Sequence, residues 1–135
     1  MADQLDRIEH EPAGVLATVK ADGQPHLVPV VFAISQARVV TAVDWKPKSG
    51  RKLQRVLNIG ADPRVSLLVH AYSDDWTALW WVRVDGVATL HHGDSVWERA
   101  REALSSKYTQ YREKPPDGTV IAISPHRVSS WDGSG

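Results

Sequence analysis

The stretch Gly14-Val-Leu-Ala-Thr-Val-Lys-Ala-Asp-Gly-Gln-Pro-His-Leu-Val-Pro-Val30 decides the fold. Residues 14–20 form a β-rich run, and Asp22-Gly23 is a strong hairpin signal. Residues 25–34 resume as a second strand, and a third is expected over residues 38–43 after a short turn near Ser35-Gln36. Strands this close together, joined by tight turns, predict an antiparallel meander. Pro29 lies inside the second strand and cannot donate to a ladder, so it marks an edge or a bulge. A planar heterocycle could lie against such exposed backbone, with neighbouring N–H and C=O groups reading its edge. An ordinary edge strand fits the same residues.

Outward from that stretch the pattern stays β-rich with helices inserted. Residues 3–10 read as a short helix carrying Leu5 and Ile8, with Pro12 beyond its end. After the third strand, Ser49 is a candidate N-cap, and Leu53, Val56 and Leu57 give one apolar helical face. Asn58 and Gly60 are stop signals, and Asp62-Pro63 turns the chain into a strand over residues 65–71. The break Ser73-Asp74-Asp75 precedes a long strand over residues 77–90. Residues 93–107 predict an amphipathic helix whose inner face is Val96, Ala100, Ala103 and Leu104. The loop Pro115-Pro-Asp-Gly118 leads to a buried strand over residues 120–123, and a final strand covers residues 127–131. The sum is a mainly β, α+β chain: an antiparallel barrel decorated by two or three helices.

Composition bounds what such a chain can do. At 135 residues it fits a single domain over residues 1–135, with no repeat or linker. Hydrophobic residues are 42% and charged residues 24%, enough apolar material for a core without disulfides or metal. The formal net charge is zero, which argues against a general nucleic-acid or membrane-surface binder, so any anion site is a local cluster. The absence of cysteine excludes thiolate catalysis and Cys-based zinc sites. No signal peptide opens the chain and no window approaches the roughly 18 apolar residues of a membrane span. A cytoplasmic address is therefore expected. Six tryptophans against one phenylalanine suit ring-stacking sites and subunit interfaces.

The strongest local cluster is Trp45-Lys-Pro-Lys-Ser-Gly-Arg-Lys-Leu-Gln-Arg55. Between Asp44 and Asp62 there is no carboxylate, yet Lys46, Lys48, Arg51, Lys52 and Arg55 supply five positive charges. Four fall at or before a helix N-terminus, where the dipole prefers an anion. A phosphate held by free N–H groups and basic side chains removes the conflict; a solvated basic helix face fits the same composition. In Trp76-Thr-Ala-Leu-Trp-Trp-Val-Arg-Val-Asp-Gly86, alternation puts Trp80, Val82 and Val84 on one face. Leu79, Trp81, Arg83 and Asp85 fall on the other, as a cofactor wall or dimer interface would. His91 and His92 are adjacent and point to opposite faces of a strand, so they make no metal pair. No nucleophile elbow, P-loop or dinucleotide fingerprint occurs.

The order of these motifs resembles the pyridoxamine 5′-phosphate oxidase-like FMN-binding split β-barrel superfamily. The motifs are the residue 14–30 stretch, Thr41-Ala-Val-Asp-Trp-Lys-Pro-Lys48, Ala61-Asp-Pro-Arg-Val-Ser-Leu-Leu-Val69 and Leu79-Trp-Trp-Val-Arg-Val-Asp-Gly86. Within that superfamily the chain resembles the branch of coenzyme F420-dependent enzymes. The resemblance implies a six- to seven-stranded antiparallel split β-barrel and a homodimer with cofactor sites at the interface. It implies that the strand of His26, Val28, Pro29 and Val30 lies along the isoalloxazine or deazaflavin ring. It places the phosphate on Lys46, Lys48, Ser49, Arg51 and Lys52, with Thr41, Ala42 and Val43 lining the approach and Trp76 and Trp81 near the ring. Trp81 stands where the oxidase branch often has a polar residue, which suggests stacking or shielding. The closing strand Pro125-His-Arg-Val-Ser-Ser-Trp131 can reach the partner's site.

The activity this implies is hydride transfer between F420 and a small organic substrate, with the cofactor carrying the chemistry. No catalytic side chain is assigned; His26 and Tyr72 are candidate proton donors or structural residues. The alternatives are an FMN oxidase or reductase of the same fold and a non-catalytic flavin or deazaflavin carrier. A nucleic-acid binder using the basic patch is disfavoured by the neutral total charge.

Overall fold

A computed structural model of the chain describes residues 1–44 and 53–135. Its centre is one seven-stranded, wholly antiparallel sheet in the order β2-β1-β5-β6-β7-β4-β3. The strands are β1 (Gly14–Val19), β2 (Pro25–Val30), β3 (Ala33–Ser35), β4 (Arg38–Ala42), β5 (Arg64–Ala71), β6 (Trp80–His91) and β7 (Val120–Asp132). Among the described residues the helices are α1 (Ala2–Ile8), α2 (Gln54–Ala61), α3 (Ser95–Lys107) and α4 (Thr109–Glu113), with a 3-10 turn at Trp76–Ala78. The fold is mainly β, with four helices where two or three were expected.

The β1–β2 hairpin forms as its sequence demands. Lys20 N–H donates to Gln24 O and Gly23 N–H to Lys20 O, with Gly23 at φ +87°. This is a type I turn closed by a left-handed glycine, the G1 bulge of a three-residue hairpin loop. The expected meander does not continue. Residues 25–34 split at Val31 and Phe32, and β2 and β3 become the opposite ends of the sheet order. Val30 and Ala33 are three residues apart, so the two end strands meet within roughly 11 Å. The sheet must curl to permit this, which makes it an open half-barrel.

Two apolar clusters hold the curl. Leu16, Phe32, Val39, Leu67, Val82 and Ile121 fill the concave side, plugged by Leu5 and Ile8 of α1 and Val56 and Ile59 of α2. Under α3, Ala100 and Leu104 pack on Ala33, Val40, Ala42, Val120 and Ala122. Residues 120–123 therefore read as an unbroken apolar run because both faces are buried. In α2 the buried side is Val56, Asn58 and Ile59, whereas Leu57 is exposed. Asn58 is not a stop signal but a buried polar anchor, and α2 runs past Gly60 to Ala61. The N-cap expected at Ser49 lies outside the described residues; the helix begins after Leu53.

The last two expected strands are one. Pro125 sits within β7 opposite Gly86, where the β6–β7 register slips at a bulge. β4 pairs only with the start of β7, so Pro125 has a free side and breaks no ladder there. At Gly86 a Cβ would stand 2.1 Å from Ser124 O, so only glycine admits this approach. The long strand starts at Trp80 instead of Thr77 because Asp75 accepts from Thr77 N–H and winds residues 76–78 into the 3-10 turn. Helix α3 is capped by Asp94, which accepts from Trp97 N–H at 2.9 Å. Trp97 Nε1 and Arg101 Nε then donate to Gly118 O and Pro116 O, fixing the proline loop.

Candidate functional site

Register decides which candidate residues can meet. On β2 the cross-strand bond at Lys20–Gln24 fixes the alternation that follows. His26, Val28 and Val30 turn their backbone groups toward β1; Pro25, Leu27 and Pro29 turn theirs outward. β2 is an end strand, so its free edge offers the carbonyls of Pro25, Leu27 and Pro29 but a single N–H, that of Leu27. The two prolines keep this edge from pairing with another strand while leaving acceptors open.

Side chains alternate as well. His26, Val28 and Val30 point to the concave side, and His26 Nδ1 is buried with no hydrogen-bond partner among the described residues. The hydroxyl of Thr41 is occupied, donating to Val31 O at 2.7 Å, which ties β4 to the link between β2 and β3. Ala42 and Val43 are buried in the two cores. Trp81 lies on the opposite, convex face with its ring half-buried, and Arg83 rests 5.9 Å from the ring centroid. Trp76 is 70% exposed on the 3-10 turn, outside the strand that carries Trp81. Tyr72 is also exposed. Lys46, Lys48, Ser49, Arg51 and Lys52 lie outside the described residues.

The convex face holds a groove of about 660 Å³ that sequence reading did not assemble. Ala17, Leu27, Leu68, His70, Trp81 and Arg83 line it, drawn from four strands. Leu27 is 66% and Leu68 37% exposed. A polar bridge crosses this face: Ser66 Oγ donates to Asp85 at 2.5 Å, and Arg83 Nε pairs with Asp85 at 3.2 Å. The Ser66 hydrogen bond, joined by Arg83, holds the Asp85 carboxyl below its ordinary range. The signal was present in β5, where Leu68 and His70 have the opposite parity to the buried Val65, Leu67 and Val69.

The two flanks of the basic segment are also fixed. Tyr111 donates a short hydrogen bond to Asp44, and Arg55 lies within the field of both. Burial, with the Asp44 carboxylate beside it, pushes the Tyr111 phenol well up. Burial depresses Arg55, opposed by Asp44 and Tyr111, and its buried Nε has no hydrogen-bond partner among the described residues. At the other end Asp62 accepts two bonds from the Arg64 guanidinium, at 3.0 and 2.7 Å. Asp44 and Asp62, the carboxylates that bracket the segment in sequence, are thus both engaged elsewhere.

Comparison with known proteins agrees with this fold. A family model described as pyridoxamine 5′-phosphate oxidase matches residues 1–132. A conserved hypothetical protein from Mycobacterium tuberculosis is 26% identical, with a TM-score of 0.81 over 98% of this chain and 84% of its own. An FAD-binding protein from Mesorhizobium loti is 23% identical, with a TM-score of 0.74 over 96% of this chain and 91% of its own. HutZ, the heme storage protein of Vibrio cholerae, is 15% identical, with a TM-score of 0.74 over 96% of this chain and 92% of its own. No curated protein matches the sequence.

Proposed function

Because this chain belongs to the pyridoxamine 5′-phosphate oxidase family, we propose that it is an oxidoreductase holding a phosphate-bearing flavin-type cofactor. Coenzyme F420 is the proposed cofactor and FMN the alternative, which a flavin-binding neighbour of the same fold supports. The observation that carries the reading is the charge balance around residues 45–52. Asp44 accepts from Tyr111 and Asp62 pairs with Arg64, while the sequence from Trp45 to Arg55 holds five basic residues and no carboxylate. A phosphate is the natural counter-ion for such a cluster.

The free β2 edge fits the rest of the cofactor. Its carbonyls can accept from the N–H of a ring edge, and the lone Leu27 N–H can donate to one of the two ring carbonyls that flank it. When bound, the cofactor supplies hydride chemistry, and the protein binds, orients and excludes water. Leu27 N–H would hold a ring carbonyl, and Lys48 and Lys52 would hold the phosphate. The convex groove is proposed to take a second copy of this chain. Its apolar floor of Leu27, Leu68 and Trp81 would be buried, and the Arg83–Asp85 pairs of the two copies are mutually complementary. Leu68→Glu is then expected to convert a dimer into a monomer in sedimentation velocity; an unchanged sedimentation coefficient sinks that arrangement.

Tryptophan fluorescence titrated with F420 and with FMN tests the main reading. Binding of one of them tighter than about 100 μM is expected. If neither binds, the cofactor assignment is wrong. Lys48→Ala and Lys52→Ala are expected to weaken binding with the fold intact, and unchanged affinity in both removes the phosphate assignment. Leu27→Pro deletes the only outward N–H while sparing the bonds to β1, and should cost about 1 kcal/mol, roughly fivefold in affinity. Tight binding without turnover on any donor and acceptor pair would make the protein a carrier.

A further inference from the structure

Both flanks of the basic segment converge on one side chain, Tyr111 of α4. On the near flank its hydroxyl donates a short hydrogen bond to the Asp44 carboxylate, just past the end of β4. On the far flank Arg55, in the first turn of α2, lies within the field of the same phenol and the same carboxylate. Tyr111 is itself fixed. It is 4% exposed, its ring meets Tyr108 edge-on at 5.8 Å, and its carbonyl accepts from Ser105 Oγ at 3.2 Å. We infer that Tyr111 is a positioning residue for the phosphate end of the cofactor site, acting through Asp44; this rests on the phosphate-bearing cofactor proposed above.

The main chain at Asp44 is pinned from the proline loop. Asp44 O accepts from Asp117 N–H at 3.1 Å, and Val43 N–H donates to Thr119 O at 2.9 Å. Gly118 lies so close that a Cβ there would stand 2.6 Å from Val43 O. These contacts fix where the backbone leaves β4, but the Asp44 side chain is on an exposed residue and takes its direction from Tyr111. Arg55 is the cation that Asp44 then attracts, since the first turn of α2 holds no acidic residue. Flanks set before binding reduce the cost of ordering cations around a phosphate. Asp44 is also an anion, and its charge alone repels a phosphate. Placement and charge therefore have opposite signs, and substitutions can separate them.

Isothermal titration calorimetry on the full chain uses two ligand pairs that differ in the phosphate: F420 against its deazariboflavin core, and FMN against riboflavin. In the pair that binds, the phosphorylated member is expected to be at least about tenfold tighter. Tyr111→Phe should lower that ratio about fivefold while the phosphate-free ligand binds as before. Asp44→Ala should act in the same way. Asp44→Asn keeps an acceptor for the Tyr111 hydroxyl and should restore the ratio. If Tyr111→Phe weakens both members of a pair equally, the tyrosine supports the fold alone and the inference is overturned. A ratio raised by Asp44→Ala also overturns it, because Asp44 would then act only as a repelling charge. A wild-type chain that favours neither phosphorylated ligand removes the phosphate reading itself. A wild-type preference that Tyr111→Phe leaves intact removes only the role of Tyr111.

Discussion

Asn58 should be the residue whose loss most cleanly reports how α2 is held. It is 2% exposed, donates from Nδ2 to Thr18 Oγ1 at 2.9 Å and accepts from Gln54 Nε2 at 2.6 Å. Thr18 on β1 is equally buried. Thr18→Val removes the acceptor and strands a buried amide donor, at about 2 kcal/mol. Asn58→Ala loses two hydrogen bonds and leaves a small void, at about 3 kcal/mol. A chain of this length has an unfolding entropy near 0.3 kcal/mol per kelvin, so the single changes lower Tm by about 7 and 10 °C. The double variant should cost about 3 kcal/mol and not 5, because without Asn58 the valine strands nothing. Calorimetry on the four proteins measures that coupling. Simple additivity would refute the claim that one shared hydrogen bond docks α2 on the sheet. The α2 start follows directly on the basic segment, so cofactor affinity should fall in both single variants.

Other consequences can be measured just as directly. Gln36 and Ala37, the two-residue β3–β4 loop, lie at φ 52° and 59° as a type I′ turn requires; replacing them with Asn-Gly should stabilise the protein by about 1 kcal/mol in urea unfolding, and a loss of stability would contradict that turn type. Gly86→Ala forces a Cβ to 2.1 Å from Ser124 O and should cost 3 kcal/mol or more, or abolish soluble expression; a near-neutral result would mean the bulge opens freely. Lys107 keeps its proton up to about pH 8 when folded and to about 10.5 when unfolded. Between those values the unfolded chain binds more protons, so stability should rise with pH from 8 to 10. Above pH 10 the raised phenol of Tyr111 reverses the trend, since the unfolded tyrosine loses its proton first. Lys107→Met should remove the rise, as read by chemical unfolding at pH 7.5 and 9.5.

Strand positions were legible wherever alternation or a glycine turn wrote them locally. The 14–30 hairpin, the two faces of residues 80–85 and the inner face of α3 all came from patterns a few residues long. Sheet order did not, because nothing in Val30-Val-Phe-Ala33 marks a strand end; the break exists only because the curled sheet brings its two ends together there. The β3–β4 turn falls where one was expected near Ser35-Gln36, although Gln36 and Ala37 take its left-handed positions without a glycine. Helix α4 is five residues long, too short for a periodic signal. Of the site, the basic charges were visible as a count, but the convex groove was not. Leu27, Leu68 and Trp81 are far apart in sequence, and only strand register unites them. The same holds for Asp44 and Tyr111, 67 residues apart.

The closure of the sheet links the end of β2 to the last turn of α3. Phe32 sits in the link between β2 and β3, where no ladder serves its backbone. Its N–H donates to Tyr108 Oη at 3.1 Å, and its carbonyl lies 2.9 Å from that oxygen. Tyr108 Oη is also 2.8 Å from Pro12 O. A hydroxyl has one proton and cannot serve both carbonyls at once. When Tyr108 turns to Pro12, Phe32 O depends on Lys107 Nζ, which reaches it at 2.8 Å. The last turn of α3 therefore sets how firmly β2 ends, two residues from the Pro29–Val30 edge proposed to carry the cofactor ring.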